Sequence, residues 1–446
     1  MIYLVVNILV PFMRRSSMWM QNKLQWMACL LEDNKQKNTV ASLDGVRAIA
    51  CLIVLTFHVS LVTRDTHLWQ SISPFTTAIV MAGGSGVTLF FVLSGFLLFL
   101  PYARALLFES TWPKARYFYT RRAFRIIPAY YVSLFLIILL FQPQYLQWAH
   151  LKDLVLFLIF FMDSTKDTFQ QINGPFWTLA VEWQYYMLLP LLCLGIGCIV
   201  RSGSPQRRFW TVVYCLLGVI IWGIFSRFFG LYFTLHPTQS LLVPRSVLDG
   251  IIFFTYGVAG KYLEDFAVGM LVSLCYVLLQ TQSPEGNLRV NISRLSPLFL
   301  TTGIFLLYFM ALWHFNQWYY HSWSLFNSLA PVYDYINETC LSLGFGLCVF
   351  AIVFGSANLK RLFEWTPLRW IGLISYSLYM WHLPLLVFFR DHIGYNILDW
   401  NHTFVYSLYW LWALLMIIPF AFLFFVWVEK PWIKLGSTLL VKQRKS

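Results

Sequence analysis

Apolar residues fall in blocks of eighteen or more from Leu43 almost to the C-terminus, separated by short polar stretches that carry most of the charge. Each block is long enough to cross a hydrocarbon core about 30 Å thick. The pattern predicts ten helices, at approximately 43–62, 79–100, 126–142, 176–200, 209–226, 251–280, 296–313, 338–356, 370–390 and 403–428. Leu151 to Met162 is apolar but too short to span, and it reads as a re-entrant or interfacial helix. Counting it as a full span would invert everything after it. The expected fold class is therefore all-α, a polytopic integral membrane bundle of about ten transmembrane helices.

Composition agrees with the pattern. Hydrophobic residues make up 59% of the 446 and charged residues 11%, against roughly a quarter charged in a soluble domain, which excludes a water-soluble globule. The net charge of +13 is not expected to indicate nucleic acid as a partner, because no stretch of this sequence reads as an aqueous domain with a basic face. It sets orientation instead. With the N-terminus inside and ten spans, 24 of the 32 lysines and arginines fall in cytoplasmic segments and 6 on the opposite side, while Arg47 and Lys261 lie within helices. That bias predicts both termini in the cytoplasm. Residues 1–42 read as a cytoplasmic or interfacial leader, 43–428 as the membrane domain, and 429–446 as a short basic cytoplasmic tail. The cysteines form no CxxC pair and no cluster with histidine at metal spacing, so neither a disulfide framework nor a bound metal is expected.

Ionisable groups inside spans cost about 2.5 to 3.5 kcal/mol each on the insertion scale, so each needs a reason. On the first span Asp44 stands where a helix N-cap would. Arg47 and His58 follow, eleven residues apart, about 20° out of phase on one face and about 16 Å apart along the axis. One face then carries a cation near the cytoplasm and an imidazole near mid-membrane. On the fourth span Glu182 is surrounded in sequence by Trp177, Trp183, Tyr185 and Tyr186, a setting suited to a hydroxyl-rich acceptor or to orienting an imidazole. On the ninth, Ser375, Tyr379 and His382 share a face at spacings of four and three. Arg122 and Arg125 lie one turn apart in the loop that leads into the third helix, and paired guanidinium forks suit phosphates. Each group also has a plainer reading: a snorkelling anchor, a packed histidine, a structural hydrogen bond, helix packing or positive-inside bias.

Five strings in order resemble the acyltransferase 3 family of membrane O-acyltransferases, to which O-antigen and exopolysaccharide acetylases belong. They are Leu43-Asp-Gly-Val-Arg47 with His58, Gly86 to Phe96 (GVTLFFVLSGF), Arg121 to Pro128 (RRAFRIIP), Trp177 to Tyr185 (WTLAVEWQY) and Ser375 to Pro384 (SYSLYMWHLP). Val46 and Ala48 stand where the family often has Leu and Gly, and Thr88 where many members place a more polar or acidic residue. Residues 209–340 match only loosely, and acceptor choice is expected to reside there. The resemblance implies transfer of an acyl group, usually acetyl from cytoplasmic acetyl-CoA, to a hydroxyl of a glycan or similar acceptor, in a bacterial plasma membrane. Arg122, Arg125 and Arg47 would hold the donor. His58 would act as general base or form an acyl-histidine, and Glu182, Tyr379 and His382 would bind and orient the acceptor. The rival reading is a secondary transporter or flippase, which uses intramembrane Arg, His and Glu equally well.

Overall fold

The computed structural model describes residues 41–63, 73–200, 203–241, 243–281, 286–397 and 400–445. Almost all of the expected leader therefore lies outside the described residues. Among those described, the chain is helical with no strand, as a lipid-embedded backbone requires if it is to satisfy its own hydrogen bonds. The order begins with α1 (Ser42–Val62) and α2 (Pro74–Met81), the latter passing through a short 3-10 turn (Ala82–Ser85) into α3 (Gly86–Phe108). Next come α4 (Ala115–Phe141), α5 (Leu151–Leu158), α6 (Phe176–Ile199), α7 (Pro205–Leu235), α8 (Arg245–Thr255) and α9 (Leu263–Gln280). The chain continues with α10 (Asn287–Phe315), α11 (Ser324–Phe354), α12 (Ala357–Phe363), α13 (Thr366–Leu373), α14 (Ser375–His392) and α15 (His402–Trp412). Two π-turns, Ala413–Ile417 and Phe425–Glu429, bracket α16 (Ile418–Phe424), and α17 (Lys430–Lys445) ends the described chain.

Among the described residues nine helical stretches are long and apolar enough to cross a membrane, and α13 with α14, bent by 73°, makes a tenth. The protein is a multi-pass membrane protein. Four boundaries differ from the pattern in informative ways. The third span begins at Ala115, eleven residues early, so Arg122 and Arg125 sit inside α4 and not in a loop. α17 supports that basic half from outside, with Trp432 against Phe124 at 6.2 Å between ring centroids. Asp44 falls in the first turn of α1 beside Arg47 instead of capping the helix. The expected 251–280 helix is broken, with residues 256–262 non-helical between α8 and α9. Gly257 (φ 71°), Gly260 (φ 104°) and Tyr262 (φ 54°) occupy the left-handed region in this break, which ends any continuous helix. The last span continues as helix beyond residue 428 into α17.

α5 is eight residues long and does not span; Tyr130 and Tyr131 of α4 donate to the carbonyls of Phe157 and Leu158 at its end. α3 and α9 cross in close contact. A Cβ on Gly95 would fall on the Phe266 carbonyl, and one on Gly269 on the Val92 carbonyl, so the two backbones touch directly, as small residues permit in membranes.

Candidate active site

α1 and α14 run parallel and in register. Cys51 Sγ lies 3.7 Å from the Ser375 carbonyl, and seven residues further along each helix His58 Nδ1 lies 3.2 Å from His382 Nε2. The ring centroids are 4.9 Å apart at 65°. Sequence spacing alone did not pair these two imidazoles, because they are 324 residues apart. Their protons follow from their partners. His382 Nδ1 is 3.1 Å from the Leu378 carbonyl, which only accepts, so Nδ1 of the neutral ring carries the hydrogen and Nε2 is an acceptor. His58 Nδ1 is 2.9 Å from the Val54 carbonyl and therefore also carries hydrogen, shared between that carbonyl and His382 Nε2. The remaining lone pair of the pair sits on His58 Nε2, the atom a general base uses.

Tyr379 supports this end. Thr178 at the start of α6 donates to the Pro175 carbonyl at 2.9 Å, which leaves Tyr379 to donate to Thr178 Oγ1, also at 2.9 Å. The Tyr379 ring lies 5.7 Å from that of His382 and 5.8 Å from that of Phe90. Asn173 donates to the Met380 carbonyl at 2.8 Å and so ties the loop before α6 to α14. His58 lies sixteen residues into the 21-residue α1 and level with the beginning of α6. His382, the eighth of the 18 residues of α14, lies mid-way along its own helix.

α6 runs opposite to α1 and leads from the histidines towards the arginines. One turn beyond Thr178, Glu182 Oε1 accepts from Ser94 at 2.6 Å and from the Tyr186 hydroxyl. The Arg122 guanidinium lies over the Tyr186 ring at 5.7 Å. Of the four aromatics near Glu182 in sequence only Tyr186 bonds the carboxylate. Trp183 stacks on Phe160, Tyr185 on Phe266, and Trp177 lies against Tyr262. Arg47, held loosely by Asp44 at 3.5 Å, feels the charges of both Arg122 and Arg125. Arg125 in turn faces Glu429, which is buried and accepts from Ser377 at 2.8 Å. Among the described residues neither Arg122 nor Arg125 has a carboxylate at ion-pair distance. Three guanidiniums therefore gather at this end, two of them, Arg122 and Arg125, without a carboxylate at ion-pair distance among the described residues.

The structure thus gathers all seven expected residues, Arg47, His58, Arg122, Arg125, Glu182, Tyr379 and His382, along one polar column between α1, α3, α4, α6 and α14. Ser94, Thr178, Ser377 and Glu429 belong to it as well and carried no spacing signal, since each meets its partner from a different helix, whereas Tyr186 reaches Glu182 at an i,i+4 spacing within α6. Ser375, expected on the same face as Tyr379 and His382, instead donates to the Gly372 carbonyl beside its own helix. Thr88, at the position where many members of the resembled family place a more polar or acidic residue, donates to Glu338 of α11 at 3.0 Å, so a carboxylate reaches that spot from another helix. Among the described residues no group of three or more His, Cys, Asp or Glu side chains is placed to hold a metal ion.

A family model described as an acyltransferase domain, of the acyltransferase 3 type, matches residues 40–428. The chain is 24% identical over 365 residues to a putative peptidoglycan O-acetyltransferase of Bacillus subtilis, covering 78% of this chain and 49% of the relative. It is 24% identical over 369 residues to the peptidoglycan O-acetyltransferase of Listeria monocytogenes, with the same coverage of each. To a putative O-acetyltransferase of Staphylococcus aureus it is 21% identical over 430 residues, 91% of this chain and 59% of the relative. The chain spans about half the length of the first two relatives. No solved structure matches it.

Proposed function

This chain belongs to the acyltransferase 3 family, and on that premise we propose that it transfers an acetyl group from acetyl-CoA at the arginine end to a glycan hydroxyl at the histidine end. The observation that carries the reading is the hydrogen-bonded histidine pair, which leaves its one lone pair on His58 Nε2, on the same helix as Arg47. The acceptor hydroxyl gives its proton to His58 Nε2 as its oxygen bonds to the thioester carbonyl carbon. The C–S bond then breaks, and the departing thiolate takes the proton from the ring, so that CoA leaves as the thiol and the imidazole returns neutral. His382 Nε2 accepts from His58 Nδ1–H throughout and holds the ring in one tautomer and one orientation.

Arg122 and Arg125 would bind the phosphates of CoA by charge-assisted hydrogen bonds, with Arg47 steadying the donor about 16 Å below His58 on one helix. The lysine and arginine bias supports a cytoplasmic location for that end, where acyl-CoA is made. The relatives named as peptidoglycan O-acetyltransferases support a cell-wall glycan as acceptor and the bacterial cell membrane as location. Family membership favours acyl transfer over the transport reading. Protein reconstituted in lipid with labelled acetyl-CoA and peptidoglycan fragments is expected to yield labelled ester, and His58→Ala to lower the rate by about 10²- to 10⁴-fold with thermal unfolding unchanged. Transfer at the wild-type rate in that variant would remove His58 from the reaction.

A further inference from the structure

Residues 256–262 are irregular backbone set among membrane-spanning helices, where such backbone persists only if protein covers it or it lines a polar cavity. Two ion pairs hold them. Arg227 of α7 donates to Glu264 Oε1 from Nε at 3.1 Å and from Nη2 at 2.7 Å, and from Nη1 to the Ala259 carbonyl at 3.1 Å. Lys261 Nζ meets Asp163 Oδ2 and donates to Ser164 Oγ at 3.0 Å, while Val258 N–H donates to the Asp163 carbonyl at 3.0 Å. All four charged side chains are buried. An apolar segment would fix a loop without their desolvation penalty, so the arrangement calls for something that the strap presents.

That feature is Tyr262. Its ring lies against Phe91 of α3 at 5.2 Å and Trp177 of α6 at 5.5 Å, with the Arg227 guanidinium over it at 4.8 Å. Trp177 is only half-buried and immediately precedes Thr178, the residue that holds Tyr379. Phe91 follows Phe90, whose ring meets Tyr379. On α11, half-buried Glu338 accepts from Thr88 through Oε2 and feels the charge of Arg227, leaving a second oxygen able to accept. Trp177 thus stands one residue from Thr178, which supports the histidine pair, and Glu338 lies close enough to the strap to interact with both Tyr262 and Arg227.

We propose that Trp177, backed by Tyr262, receives the apolar face of a pyranose ring and that Glu338 accepts from its hydroxyls, which makes this the acceptor subsite. The inference rests on the reading of transfer to a glycan, and it places acceptor recognition partly in the 209–340 region. An uncharged, hydroxyl-rich sugar fits: a carboxylate accepts from vicinal hydroxyls, and a ring quadrupole attracts the positively polarised C–H face.

The test is equilibrium binding to the full chain in lipid nanodiscs, with a β-1,4-linked N-acetylglucosamine tetrasaccharide as acceptor probe and CoA as donor probe. Trp177→Ala and Glu338→Gln are each expected to weaken tetrasaccharide binding roughly tenfold while CoA affinity stays within about twofold. A failure of the transfer reading shows as tetrasaccharide binding to the wild type without labelled ester, and a failure of this subsite as ester formation with binding unchanged in Trp177→Ala and Glu338→Gln, so the two give different results. Trp177→Phe, which keeps a ring, is expected to retain most of the affinity and guards against misfolding of the alanine variant. Absence of tetrasaccharide binding to the wild type, unchanged binding in Trp177→Ala and Glu338→Gln, or a parallel loss of CoA and tetrasaccharide binding in both would each overturn the proposal.

Discussion

The bundle treats its two groups of interior cations in opposite ways. Around the 256–262 strap every cation has its own carboxylate, Arg227 with Glu264 and Lys261 with Asp163, and all four are buried. At the arginine end Arg47 has only the loose contact to Asp44, and Arg122 lies on the ring of Tyr186. Desolvating an unpaired cation is so unfavourable that a closed protein interior pairs it. On the proposed reading, cations left short of partners in a polar column mark the place where the donor brings the missing negative charge, and fully paired ones mark a scaffold.

The largest effect should come from breaking a scaffold pair. Glu264→Ala strands Arg227 in the interior and is expected to cost about 3–5 kcal/mol, read as a marked fall in thermal unfolding temperature in detergent, with both probes lost together. If the variant is as stable as the wild type, the two groups of cations do not differ in kind. Arg122→Ala combined with Arg125→Ala should do the reverse, lowering the unfolding temperature far less and raising the apparent KM for acetyl-CoA roughly ten- to a hundredfold. An unchanged donor dependence would show that these arginines are ordinary positive-inside charge.

Smaller effects resolve the histidine end. His382→Ala should lower kcat about tenfold with KM for both substrates little changed, because His382 acts through the tautomer and orientation of His58. His382→Gln, which restores an acceptor for Nδ1–H, should recover part of that loss, and a purely structural histidine would show no such recovery. Thr178→Val removes the acceptor of the Tyr379 hydroxyl and should cost about 1 kcal/mol of stability, measurable as a modest drop in unfolding temperature. A much larger drop would place Thr178 in the scaffold with Glu264.

The departures from the sequence reading share a cause. Arg122 and Arg125 read as loop because their charges interrupt an apolar pattern, yet α17 packs against that stretch and α4 continues through it. Residues 251–280 read as one helix because their hydropathy is continuous, whereas the paired charges of Arg227 and Lys261 hold a break there. Hydropathy reports transfer into lipid and carries no information about a partner on another helix. The Arg47–His58 register was legible because both residues ride on one helix, whose 3.6-residue period fixes their relation without reference to anything else.

The amino-acid sequence by itself determined the class of fold, the number and order of the spans and the residues worth attention, since burial of apolar runs and helical periodicity are local properties. Only the tertiary structure decided that His58 meets His382, that Glu182 is held by Ser94, and that Glu338 reaches Thr88. Those meetings join helices far apart in the chain, and their geometry is set by how backbones cross, as at Gly95 and Gly269, which no periodicity along a single segment encodes.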